Sequence, residues 1–102
     1  MSVKTVELGR VVRANAGREK GNLFMIVGII SQDYVLIADG HKRKLVKPKK
    51  KKIKHLDFKP EVIKGIANKI LEEKKVFDAE IKSALYAIAQ AEEQAKGDLE
   101  LV

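Results

Sequence analysis

A chain of 102 residues with a formal net charge of +7 has room for one compact unit, and its 45% apolar content argues against global disorder. The charge is unevenly placed: residues 1–60 carry 15 basic and 5 acidic side chains, whereas residues 61–102 carry 6 and 9. There is no cysteine, which excludes disulfides, thiolate chemistry and cysteine-ligated zinc.

In chain order, the opening MSVKTVELGR has no apolar signal core, and no later run is long enough to span a bilayer, so a cytoplasmic location is expected. VELGRVVR at 6–13 contains a short apolar run with β-branched Val11 and Val12 and reads as a first strand. ANAGREKGN breaks it with Gly17 and Gly21, a polar turn in which Gly17 is expected to hold a backbone conformation that larger residues resist. LFMIVGII at 23–30 is a second strand, with Gly28 suggesting a bend or bulge. After the turn SQD, YVLIAD at 34–39 is a third. Gly40 interrupts again, HKRKLVKP at 41–48 reads as a basic strand ending at Pro48, and a last short strand includes Ile53 and His55 to Phe58. Short strands at this spacing, with no α/β alternation, predict a small barrel over residues 1–59.

From residue 60 the period changes to that of a helical hairpin, 60–102. Pro60 suits a helix start, and Val62, Ile63, Ile66, Ala67, Ile70 and Leu71 recur at spacings of three and four. Asp78 is the expected N-cap of a second helix whose apolar face runs through Ile81, Ala84, Leu85, Ile88 and Ala95, with Gly97 as its stop and DLELV as a tail. The expected fold class is therefore α+β. An exposed Ile/Leu stripe on these helices would suit a protein partner or a second copy of the chain.

Residues 41–60 hold 10 basic residues and one acidic residue, the densest charge in the chain. A lysine run is often only a solvated face. Here Lys42, Arg43, Lys44, Lys47 and Lys54 extend the run Lys49, Lys50, Lys51 and Lys52 beyond a single turn, which favours a polyanion as partner. Charge alone equally suits an acidic membrane surface. Lysine is a mobile point charge, so the pattern favours gripping a phosphate backbone over reading bases. Arg18 and Lys20 in the first turn are further phosphate-facing candidates. No phosphate-loop motif, metal-ligand spacing or acid–base carboxylate pair is present; His41 and His55 read as ordinary polar residues. No catalytic residue, metal or cofactor is expected.

GRVVRANAGREKGNLFMIVGI, residues 9–29, resembles a KOW motif, the strand–loop–strand signature of a family of ribosomal proteins and some transcription factors. Gly17 falls where that motif's glycine sits, and Arg18, Lys20 and Gly21 match its basic loop. VLIADGHKRKLVKPKKKKIKHL, residues 35–56, looks like the continuation in KOW-containing large-subunit ribosomal proteins of archaea and eukaryotes, and the whole is most similar to their small bacterial KOW-domain relatives. The resemblance covers about residues 6–58. It implies an SH3-like five-stranded barrel that binds structured RNA, ribosomal RNA above all. By position it implies RNA-facing roles for Arg13, Arg18 and Lys20 on one side and for Lys42 to Lys44 and Lys49 to Lys52 opposite. The alternative is a transcription-associated or adaptor module that binds protein or DNA.

Overall fold

The computed structural model describes residues 5–100. Five strands form one antiparallel sheet: β1 (Arg10–Ala14), β2 (Leu23–Ile29), β3 (Tyr34–Ala38), β4 (Lys49–Lys52) and β5 (Leu56–Val62). Their spatial order is β4-β3-β2-β1-β5. A 3-10 turn, Ile53–His55, carries the chain from one edge strand to the other. It is tied at both ends, since Ile53 N–H donates to the Asp33 carbonyl and Asn15 N–H to that of His55. Among the described residues no ladder joins β4 to β5, so the sheet is open. Helices α1 (Lys64–Leu71) and α2 (Asp78–Glu100) follow, and the architecture is α+β.

Strand alternation divides the sheet's apolar residues between two faces. Val11, Met25 and Ala38 pack with Ile66 of α1 and with Ile81, Leu85 and Ile88 of α2. Each of those helical side chains contributes about 2 kcal/mol by leaving water. On the other face, Val12, Phe24, Ile26, Val35 and Ile37 are buried with Ala14 and Leu56, and Val6, Ile53 and Phe58 pack against them; among the described residues neither α1 nor α2 joins that cluster. Burial without a covering α-helix calls for the sheet to bend over this face. Register shifts between Ile26 and Gly28 and between Arg10 and Val12 supply the bends.

Several boundaries differ from those read in the sequence. Pro60 does not open a helix; it lies in β5, an edge strand, where a residue without an amide donor loses no ladder bond. Helix α1 starts at Lys64, and the Ile63 carbonyl accepts the amide of Ala67. Residues 41–48 do not form a strand. Asp39 Oδ1 accepts the amides of His41 and Arg43 at 2.8 Å each and curls the chain into a turn. The strand is instead the lysine run itself, none of which lies on a loop. Residues Ile53 to His55 form the 3-10 turn rather than extending the last strand.

Asp78 is the first residue of α2, and its Oδ1 accepts the Leu45 amide at 2.8 Å, pinning the basic loop to the helix start. The helix entry is closed by Glu80 instead: Glu80 Oε2 accepts the Phe77 amide at 2.9 Å. Gly97 does not stop α2, which continues to Glu100; one glycine costs a helix about 1 kcal/mol and does not break it. The expected tail, 98–102, is thus helical to residue 100, and its last two residues lie outside the described range. Gly40 has φ +77, and a Cβ there would stand 2.2 Å from the Asp78 carbonyl oxygen, so the basic loop meets α2 at a spot with room for no side chain.

The apolar stripe of the helices is largely covered by the sheet. Ile66, Leu85 and Ile88 are buried and Ile70 is half-buried, whereas Leu71 and Ala95 face outward. Lys69 Nζ meets Glu80 Oε1 at 2.6 Å between the two helices.

Candidate nucleic-acid interface

Strand β4 consists of four lysines at an edge of the sheet, and alternation sends them two ways. Lys50 and Lys52 share a face with Tyr34, their ammonium groups 4.6 Å and 5.9 Å from its ring centroid. That covers the tyrosine ring with charge and helps keep both lysines at the edge. Lys49 and Lys51 turn toward the β1–β2 loop. Lys49 Nζ lies 2.7 Å from Glu19 Oε1, and Lys51 Nζ lies 3.4 Å from the Ala16 carbonyl oxygen. Gly17, beside Lys51, has φ +79, the left-handed conformation expected from its place in the turn.

The fold thereby joins two basic segments that are remote in sequence. From the β1–β2 loop come Arg18 and Lys20, both exposed; from the β3–β4 loop come Lys42, Lys44 and Lys47, also exposed, and half-buried Arg43. Lys54 projects from the 3-10 turn. Arg43 Nη2 reaches Glu19 Oε1 at 2.9 Å, so one carboxylate oxygen receives both Arg43 and Lys49 and draws the two loops together. Burial raises the Glu19 pKa, but hydrogen bonds from Lys49 and Arg43 outweigh it and hold the carboxyl below its ordinary range. Glu19 stays ionised as the internal counter-ion of the cluster.

Arg13 is placed differently. Its Nε donates to the Gly21 carbonyl at 3.1 Å, and its two terminal nitrogens reach Glu92 of α2 at 3.2 and 2.8 Å. Lys59 of β5 binds the same carboxylate. This fork–fork pair clamps α2 to the sheet. Hydrogen bonds from Arg13 and then Lys59 lower the Glu92 pKa against a smaller effect of burial.

Sequence reasoning missed the residues that organise this surface. Glu19 lies between two cations in GREKG and reads locally as their neutraliser, yet its partners are 24 and 30 residues away. Arg10 is 6% exposed and is engaged by the fold alone, donating to the Thr5, Lys59 and Pro60 carbonyls and to Glu7 Oε1 at 2.7 Å. Nothing local in the sequence separates Arg10 from Arg18.

Fold and surface together define a small α+β module whose sheet ends in a lysine edge flanked by two basic loops. Over 69 residues the chain is 38% identical to a protein of Bacillus subtilis (strain 168) named "Putative ribosome-binding protein YbzG", a match covering 68% of this chain and 93% of that protein. The chain belongs to the family of that protein. It is also 40% identical over 52 residues to "Large ribosomal subunit protein eL14" of Desulfurococcus amylolyticus, covering 51% of this chain and about half, 54%, of that one. No family model matches the chain. Among the described residues, no helix is long and apolar enough to cross a membrane.

Proposed function

We propose that the protein is a non-enzymatic RNA-binding module of the cytoplasm that associates with the ribosome by gripping the phosphates of structured ribosomal RNA. Its β-domain is an SH3-like KOW unit. The strand order, with a 3-10 turn between the two edge strands, supports that assignment, and the names of the relatives support the ribosome as partner. The observation that carries the proposal is the convergence of the β1–β2 and β3–β4 loops on the lysine edge.

Charge at an exposed edge has a plainer use, since edge lysines discourage strand-to-strand association. Edge protection accounts for a charged β4. It does not account for Arg18, Lys20, Lys42, Lys44 and Lys47 gathered beside it from two loops. In this mechanism, mobile ammonium groups neutralise closely spaced phosphates, counterion release supplies affinity, and the shape of the folded RNA selects the site. Neither metal nor cofactor takes part.

The test is a salt titration of binding to ribosomal RNA fragments, comparing wild type with a variant in which Lys49, Lys50, Lys51 and Lys52 are all alanine. Each lost phosphate contact should flatten the dependence of log K on log salt by roughly 0.7–0.9. Crosslinking in cells, with sequencing of the attached RNA, should give focused sites on ribosomal RNA that the variant loses. A folded variant with unchanged slope and affinity removes the lysine edge from the interface, and diffuse or absent crosslinks remove the ribosome as partner.

A further inference from the structure

The basic surface is not uniform. Between the β1–β2 and β3–β4 loops it sinks into a cleft of about 350 Å³, lined by Arg18, Glu19, Asn22, Asp39, Lys42 and Arg43. Clefts that hold single small ligands occupy roughly 300–1,000 Å³, and this one lies at the lower end of that range.

The lining has two characters. Arg18 and Lys42 are exposed cations, suited to a phosphate. Glu19, Asp39 and Arg43 are half-buried, and Phe24, 1% exposed, adds an apolar contact. Two carboxylates would repel a phosphate placed among them, whereas a neutral planar group with N–H donors suits them. Glu19 Oε1 already receives Arg43 and Lys49, and its buried Oε2 has no hydrogen-bond partner among the described residues. A buried acceptor left unpaired is costly, so a ligand that brings it a donor is favoured. Asn22 is exposed at the cleft and carries an amide able both to donate and to accept.

We infer that this cleft takes a single unstacked nucleotide of the bound RNA, with its phosphate on Arg18 and Lys42 and its base beside Asn22 and the Glu19 and Asp39 carboxylates. The inference rests on the RNA-binding reading above and adds to it. The lysine edge grips backbone without regard to sequence; the cleft requires a loop or bulge whose base is splayed out, the form in which RNA exposes base edges to hydrogen bonding.

The test follows amide NMR shifts of the full chain during titration with each of the four ribonucleoside monophosphates and, separately, with inorganic phosphate. The expected result is a saturable set of shifts at Asn22, Asp39 and Lys42 that depends on the base and that inorganic phosphate does not reproduce. Asn22→Trp, which fills the cleft from an exposed loop position, should abolish the base-dependent shifts without changing the melting temperature. Should that variant fail to fold, Asn22→Ala should weaken them. Identical shifts with inorganic phosphate would reduce the cleft to a simple anion site and overturn the inference, as would a cleft silent to every nucleotide. Binding of a structured ribosomal RNA fragment is measured on the same samples. RNA that shifts the β4 amides and leaves the cleft unmoved removes the nucleotide pocket alone; failure to bind RNA at all removes the broader reading with it.

Discussion

At the β5 edge of the sheet, cations serve the fold: Arg10 is buried among backbone carbonyls, and Arg13 and Lys59 converge on Glu92. At the β4 edge, Arg43 and Lys49 share Glu19, and the exposed lysines around them have no carboxylate partner among the described residues. The two edges draw on the same residue types. What separates them is the supply of acceptors. Where tertiary packing brings a carboxylate or a free carbonyl to the cation, the charge is tied into the fold; where it brings none, the charge stays exposed to solvent.

The sharpest way to break this comparison is to remove a structural cation. Arg10→Leu leaves the Lys59 and Pro60 carbonyls without their side-chain donor at the base of β5 and should cost about 3 kcal/mol in chemical denaturation. RNA affinity of the folded fraction should stay as in wild type. A loss below about 1 kcal/mol would mean that the buried guanidinium is dispensable.

Reversing charge at the other edge should do the opposite. Lys44→Glu with Lys47→Glu, both in the exposed β3–β4 loop, should weaken RNA binding about tenfold or more, equivalent to about 1.4 kcal/mol, with a melting temperature near that of wild type. Unchanged affinity at low salt would remove that loop from the interface.

Gly17→Val tests the turn that carries Arg18 and sets Gly17 itself beside Lys51. With φ at +79, a β-branched residue should cost about 1–2 kcal/mol and shift amide resonances across the β1–β2 loop. An unchanged spectrum and melting curve would show that the turn tolerates a side chain.

The smallest effect is expected from Glu92→Gln. The Glu92 carboxyl lies below its ordinary range in the folded chain, so its contribution is present above the unfolded pKa and is lost as pH falls through the folded one. The variant should therefore be about 1 kcal/mol less stable near neutral pH, with the difference closing as the solution is acidified. A difference that stayed constant into acid would indicate lost packing in place of a lost ion pair.

These outcomes bear on how much was legible in advance. The three apolar strands, the bulge at Gly28, the left-handed turn at Gly17 and the change of period after residue 60 follow from local rules of pattern and backbone conformation. The placement of β4 was not legible, because residues 41–48 carry a strand-like mixture of apolar and basic residues that Asp39 and Asp78 fold into a loop instead. Pro60 differs from its sequence expectation for a related reason: its suitability for a helix start is local, whereas its place on an edge strand depends on β1 lying beside it.

By itself, the sequence determined that an α+β chain would form, that its positive charge would gather before residue 60, and that the turn at Gly17 would be tight. Those properties need only the periodicity of apolar residues, the charge count and the steric freedom of glycine. Which cations stay exposed was decided by tertiary structure alone. Arg10, Arg13 and Arg18 are equivalent as letters, and contacts with residues as far away as Pro60 and Glu92 made two of them part of the fold and left the third exposed beside the lysine strand.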